Sequence, residues 1–266
     1  MRNHIKNKIY LVETLPPKQD TERLEDDLQL FAKKFNKVMK SGYCACIGDN
    51  PMGNLYFKGI EIIEELKLDI NPEQVIIHLN TFHTKEDLHS ILDRCESKGI
   101  KYLLVLSGDG SERLPKLQPS ELGIEGMAEL VTSVELLKYI KEKYQDTFIL
   151  GVAFNPYKPK EPEFNKLQKK IDAGASFIIT QPIIERNAVV DEVLEKYLDV
   201  PLIVEAWMSK NLRLLSDIVG YEVVENTQFN PIETLKMLHT FYPKCGFYLS
   251  FLGFKSQYHL IENIWI

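Results

Sequence analysis

No apolar run in this 266-residue chain approaches the roughly 18 residues needed to cross a bilayer, so no membrane span is expected. The basic start, Met1 to Lys8, leads only into a short apolar stretch from Ile9 to Val12. A secretory core needs about 7–15 apolar residues, and the expected location is therefore cytoplasmic. Cysteine is scarce. Cys44, Cys46, Cys95 and Cys245 fit neither a metal-ligand spacing nor a secreted disulfide framework, and no metal site is expected. Cys44 and Cys46, two apart in one strand-like run, read as buried thiols sharing a face. Positive charge is also short: a net charge of -6 argues against nucleic acid as partner. Linkers, low-complexity tracts and internal repeats beyond the strand–helix period are all missing, which leaves a single domain over residues 1–266. The Gly-rich nucleotide turn of an open doubly wound sheet is missing too, and Pro16-Pro17 stands in its place.

What the chain does have is alternation. Short β-branched or apolar runs predict strands over Lys8–Leu15, Tyr43–Ile47, Val75–Leu79, Tyr102–Leu106, Phe148–Phe154, Phe177–Gln181, Leu202–Glu205 and Phe247–Phe251. Between them lie amphipathic stretches. Helices are predicted over Thr21–Met39, Leu55–Leu66, from a Thr84 cap to Lys98, Gly126–Tyr144, Phe164–Ala173, Ala188–Tyr197, Lys210–Ile218, Pro231–Phe241 and Ser256–Ile264. Strands alternating with helices through mostly short turns call for parallel crossover units. The expected fold is α/β, a single (β/α)8 TIM barrel.

An active site in such a barrel forms at the C-terminal ends of the strands. Those ends carry Glu13, His78, Ser107-Gly108-Asp109, Asn155, Gln181 and Glu205. The two-residue period of a strand puts Asp109 on the face of Val105 and Ser107, and Gln181 on that of Phe177 and Ile179. Polar groups at the mouth of an apolar barrel are costly unless something binds them.

Three segments carry a resemblance. Glu13-Thr14-Leu15-Pro16-Pro17 resembles the Glu-x-x-Pro-Pro segment that ends the first strand of methylenetetrahydrofolate reductases. Leu106-Ser107-Gly108-Asp109 is similar to their Leu-Arg-Gly-Asp turn after the fourth strand. Asp172-Ala173-Gly174-Ala175 followed by Ile179-Thr180-Gln181 resembles their segment at the sixth. His78-Leu79 and Gly151-Val152-Ala153 add to the likeness, which runs from about residue 8 to 205 in family order.

The resemblance implies an oxidoreductase in which reduced flavin passes hydride to the methylene group of 5,10-methylenetetrahydrofolate, giving 5-methyltetrahydrofolate. Glu13 would be the general acid that assists opening of the folate's five-membered ring. It needs apolar walls to keep its proton at neutral pH. Asp109 would bond the pterin and tune charge, and Gln181 would meet the pterin's amide edge. On the cofactor side, FAD, the resemblance implies His78, Ser107, Gly108, Asp109, Ala153, Asn155, Lys158, Glu163 and Lys170. NADH, NADPH or an electron-donor protein would recharge the flavin, and a homo-oligomer is compatible with the family.

Each residue also has a plainer reading. Glu13 fits a rim ion pair, Asp109 a Gly-Asp turn, His78 a structural hydrogen bond and Lys170 a solvated helix face. Departures from the family pattern sharpen the question. Ser107 replaces an Arg, Asn155 and Lys158 stand where a Tyr and a His are usual, and Glu205-Ala206-Trp207-Met208 replaces a Pro-Gly-rich strand end. At about 1.5–3 kcal/mol for each lost charge-assisted bond, two losses weaken flavin binding by about two to four powers of ten. A flavin-independent folate or pterin one-carbon enzyme, or a non-catalytic pterin-binding barrel subunit, are therefore alternatives. Gly48-Asp49-Asn50-Pro51-Met52-Gly53 reads as a structural turn, with anion binding by its amides as the second reading.

Overall fold

A computed structural model describes residues 1–124, 130–224, 228–251, 254–261 and 264. Residues 126–129 of the expected Gly126–Tyr144 helix, and residues 262 and 263 of the expected Ser256–Ile264 helix, lie outside the described residues.

Eight strands follow one another around a closed parallel barrel in chain order: β1 (Leu11–Thr14), β2 (Cys44–Ile47), β3 (Val75–Leu79), β4 (Tyr102–Val105), β5 (Ile149–Phe154), β6 (Phe177–Thr180), β7 (Leu202–Trp207) and β8 (Gly246–Ser250). The helices are α1 (Arg2–Lys6), α2 (Leu24–Lys40), α3 (Gly59–Glu65), α4 (Lys85–Ser97), α5 (Ser133–Tyr144), α6 (Lys160–Asp172), α7 (Ala188–Lys196), α8 (Leu212–Val219), α9 (Pro231–Phe241) and α10 (Phe254–Gln257). The expected (β/α)8 TIM barrel is the fold. Among the described residues no helix is long and apolar enough to cross a membrane, and no group of three metal-ligating side chains occurs.

Local chemistry sets the helix ends. Thr84 Oγ1 accepts the Asp87 N–H to start α4, and Leu88, Ile91, Leu92 and Cys95 bury one face of it. Helix α6 begins at Lys160, four residues before the sequence expectation. Pro162 falls in its first turn, where the missing N–H has no intrahelical partner to lose. Helix α3 instead begins late, at Gly59 rather than Leu55. The chain from Leu55 to Phe57 is held extended, Leu55 O accepting from Gln19 N and Phe57 N donating to Pro17 O. Helix α1 has no counterpart in the expected pattern.

The chain falls into two compact units. One comprises Met1–Glu13, Ala153–Gln168 and Ser176–Ile266. In it β1 and β7 flank β8, with Leu11 and Glu205 each in register with Tyr248. The other comprises Thr14–Val152 and Lys169–Ala175. There β2 to β5 pair successively, Ile47 with Ile77, Leu79 with Val105 and Val105 with Val152. All four cysteines are buried and none forms a disulfide.

Candidate active site

In the first unit, the C-terminal ends of β7, β8 and β1 bring two carboxyls onto one hydrogen-bonded strip. Tyr248 pairs with Leu11 on one side and Glu205 on the other. The two-residue period then carries Glu13 and Ser250 one step further along the same face. Tyr248 bonds the Glu13 side chain, and Ser250 Oγ donates to Glu205 Oε1. The Glu205 backbone is fixed as well: its N–H donates to Thr180 Oγ1 at 3.0 Å and its carbonyl accepts from Ile183 N at 2.9 Å. Ile179 pairs with Ile203, so Gln181, two residues on, is level with Glu205. The Gln181 N–H donates to Phe154 O at 2.7 Å.

Burial raises the Glu13 carboxyl to about 7, opposed by the Tyr248 hydrogen bond. Burial likewise raises Glu205 to about 8; the Ser250 hydroxyl opposes this and the charge of Glu13 adds to it. Among the described residues no cation acts on either carboxyl. A group with a value of about 7 is roughly half protonated at neutral pH, which suits a proton donor. Glu205 stood among the strand ends in the sequence, but nothing in one strand announces its Ser250 partner in another.

The cofactor-side residues of this unit are engaged within the chain. Asn155 Oδ1 accepts the Tyr157 N–H at 3.0 Å, and its amide donates to Val219 O at 3.4 Å. Glu163 Oε1 accepts the Asn155 N–H at 3.1 Å, while Oε2 lies 4.0 Å from Lys166 Nζ. Lys158 is exposed, with its ammonium beside Gly220 at the C-terminal end of α8, a favourable place for a cation. Ala153 is half-buried near the end of β5.

In the second unit the ends of β2, β3 and β4 form a tight polar knot. Asp49 Oδ2 meets His83 Nε2 at 2.8 Å and accepts the Asn80 N–H at 2.8 Å; Asp49 and His83 are both buried. Neither Asp49 nor His83 was singled out from sequence as a functional candidate. A hint lies in the polar run Asn80-Thr81-Phe82-His83 between a strand and its helix. His78 is pushed down to about 4 by burial against the opposing pull of Asp49, so it is neutral at physiological pH.

Gly108 has φ +77°, and a Cβ there would come within 2.8 Å of the Asn80 side chain, so only glycine fits. Asp109 is exposed and its Oδ2 accepts the Met52 N–H at 3.0 Å. It thereby holds the left-handed turn through Asn50 (φ 45°) and Met52 (φ 55°). The Gly48–Gly53 segment is accordingly a structural turn that opens no α-helix. Ser107 Oγ accepts the Ser133 N–H at 3.2 Å at the start of α5. Lys170 is buried in α6, against the solvated-face reading.

The family model for methylenetetrahydrofolate reductase matches residues 1–223. The chain belongs to this family. The match takes in Glu13, Asp109 and Gln181 and stops short of β8, so Tyr248 and Ser250 lie beyond it. Methylenetetrahydrofolate reductase 2 of Schizosaccharomyces pombe is 28% identical, over 68% of this chain and 29% of the relative. Its Saccharomyces cerevisiae namesake is 33% identical, over 42% of this chain and 19% of the relative. The chain thus spans less than a third of the relatives' length. Among solved structures, 2,3-dimethylmalate lyase of the PEP mutase/isocitrate lyase superfamily superposes with a TM-score of 0.52 at 11% identity, covering 94% of this chain and 78% of that one. That likeness speaks for the barrel alone.

Proposed function

We propose that this family member reduces the methylene group of 5,10-methylenetetrahydrofolate to 5-methyltetrahydrofolate. The observation that carries the reading is Glu13, a carboxyl in the position of the family's acid that burial holds at about 7. In the reaction Glu13 gives its proton to the ring nitrogen that leaves the methylene carbon, opening the five-membered ring to an iminium. Hydride then adds to that carbon, so one proton and one hydride account for the product. Gln181 holds the amide edge of the pterin through its paired donor and acceptor. Asp109 is assigned to folate on the family pattern; its carboxylate keeps one oxygen beyond the Met52 bond.

The residues that the resemblance assigns to FAD do not fit that group. Ser107 caps a helix, Asn155 and Glu163 close a loop on each other, Lys158 sits at a helix end and His78 is held neutral. In this set Glu163 Oε1 is taken by the Asn155 N–H and Asn155 Oδ1 by the Tyr157 N–H, so neither side chain is poised to meet a ribose. These engaged side chains favour the second reading: hydride comes to the folate directly from NADH, NADPH or a donor protein.

The test is to purify the chain, supply methylenetetrahydrofolate with NADH or NADPH, and assay for methyltetrahydrofolate with and without added FAD. Product formed equally in both supports direct transfer. Product only with FAD restores the flavin, and none with any donor removes the reductase reading.

A further inference from the structure

The β1–β8–β7 strip contains one more ionisable group than a single proton donor requires. Glu205 lies level with Tyr248, which bonds Glu13, and its own carboxyl accepts from Ser250 one step along the same face. Its backbone is pinned at both ends by Thr180 and Ile183, so the side chain has a fixed origin. The replacement of an ordinary Pro-Gly-rich strand end by Glu205-Ala206-Trp207 thus puts a carboxyl where the family pattern has none.

We propose that Glu205 is a proton reserve for Glu13, the two carboxyls flanking β8 with Glu13 bonded to Tyr248 and Glu205 to Ser250. The inference rests on the reading of Glu13 as the acid, and makes Glu205 a positioning residue that never meets the folate. The proton balance is simple. Glu13 gives its proton to the leaving nitrogen and becomes a carboxylate. Glu205 holds a proton at this moment, and the charge left on Glu13 draws a proton back to that carboxylate. The proton passes to Glu13, whose charge acts directly on Glu205, and Glu205 takes another from solvent.

The surroundings suit such an exchange. β8 contributes Tyr248 and Ser250, β6 contributes Thr180, and the loop after β5 brings Tyr157. The Tyr157 phenol is pushed up by burial first and then by the charges of Glu185, Tyr221 and Glu205. It stays protonated and does not compete. Among the described residues no lysine, arginine or histidine acts on the two carboxyls to fix either as a permanent anion.

The test is a carbon-13 NMR titration of the glutamate carboxyls in the whole chain. Each signal is assigned by its loss in Glu13→Gln or Glu205→Gln. The expected result is that Glu205 titrates well above an ordinary carboxyl, and that Glu13→Gln lowers its proton affinity at least threefold. Ser250→Ala, which keeps both carboxyls, should raise the Glu205 midpoint and serves if a Gln variant fails to fold. A Glu205 midpoint that ignores both substitutions overturns the proposal.

A second readout is kinetic. Glu205→Gln should leave the rate of a first turnover within about twofold while lowering steady-state kcat about tenfold, with KM unchanged and the alkaline limb of the pH profile displaced. Glu205→Asp should recover part of the loss. The NMR arm needs no folate, so coupled titration in a chain that reduces no folate would sink the reductase reading and leave the carboxyl pair standing. Uncoupled titration in an active enzyme would sink only the reserve.

Discussion

Tyr248 bonds Glu13 from the neighbouring strand, yet the carboxyl still sits at about 7, because burial outweighs the hydrogen bond. A hydrogen-bonded acid about half protonated at neutral pH results, where an ion pair would have given a permanently charged one. The tilt toward proton donation follows from the strip between β1 and β7, and several consequences can be measured.

Activity should fall on the alkaline side. Glu13 works as an acid only while protonated, so kcat/KM for the folate should decline as pH rises through about 7. A rate rising steadily to about pH 9 would mean that another group supplies the proton.

Stability should fall over the same range. A carboxyl raised in the folded state binds its proton more tightly than the unfolded chain does. Its contribution is therefore complete below the ordinary value of 4.5 and is lost as pH rises through about 7 for Glu13 and about 8 for Glu205. Thermal melts should show Glu205→Gln matching the parent near pH 5 and exceeding it near pH 9. Equal melting temperatures at the alkaline end would count against the raised values.

Much of this architecture is legible in one sequence, and the gaps have physical causes. β3 runs over Val75–Leu79 as expected because its β-branched run is bounded by Pro72 and the Asn80 turn. Helix α4 keeps its Thr84 start and its Gly99 stop because those signals are local. The late start of α3 depends on main-chain bonds to Pro17 and Gln19, which no window around Leu55 contains. Site residues divide the same way. Glu13 and Gln181 stand out at strand ends, whereas the Ser250 hydroxyl that completes Glu205, and the His83 partner of Asp49, are 45 and 34 residues away from those carboxylates.

The knot at the ends of β2 and β3 should be a stability element. Asp49→Ala removes the acceptor of the Asn80 N–H and His83 Nε2 and leaves both donors buried. A loss of about 2–3 kcal/mol is expected in urea unfolding. A change within about 0.5 kcal/mol would show that water replaces the carboxylate at no cost.

Gly108→Ala should also destabilise. The left-handed backbone costs a side chain about 1–2 kcal/mol, and the 2.8 Å approach to Asn80 adds to it. Denaturant midpoints of variant and parent check this, and coincidence of the two would refute the steric argument.

Lys158→Ala should weaken only the end of α8, by about 0.3–1 kcal/mol, without altering any affinity for FAD. A marked drop in FAD binding, measured by fluorescence quenching, would return Lys158 to the cofactor.

The central claim is that Glu13 protonates the folate, and single-turnover formation of methyltetrahydrofolate by Glu13→Gln tests it most directly. The rate should drop by about 10²–10⁴-fold while folate affinity stays close to that of the parent chain. A variant that forms product at the parental rate would contradict the account.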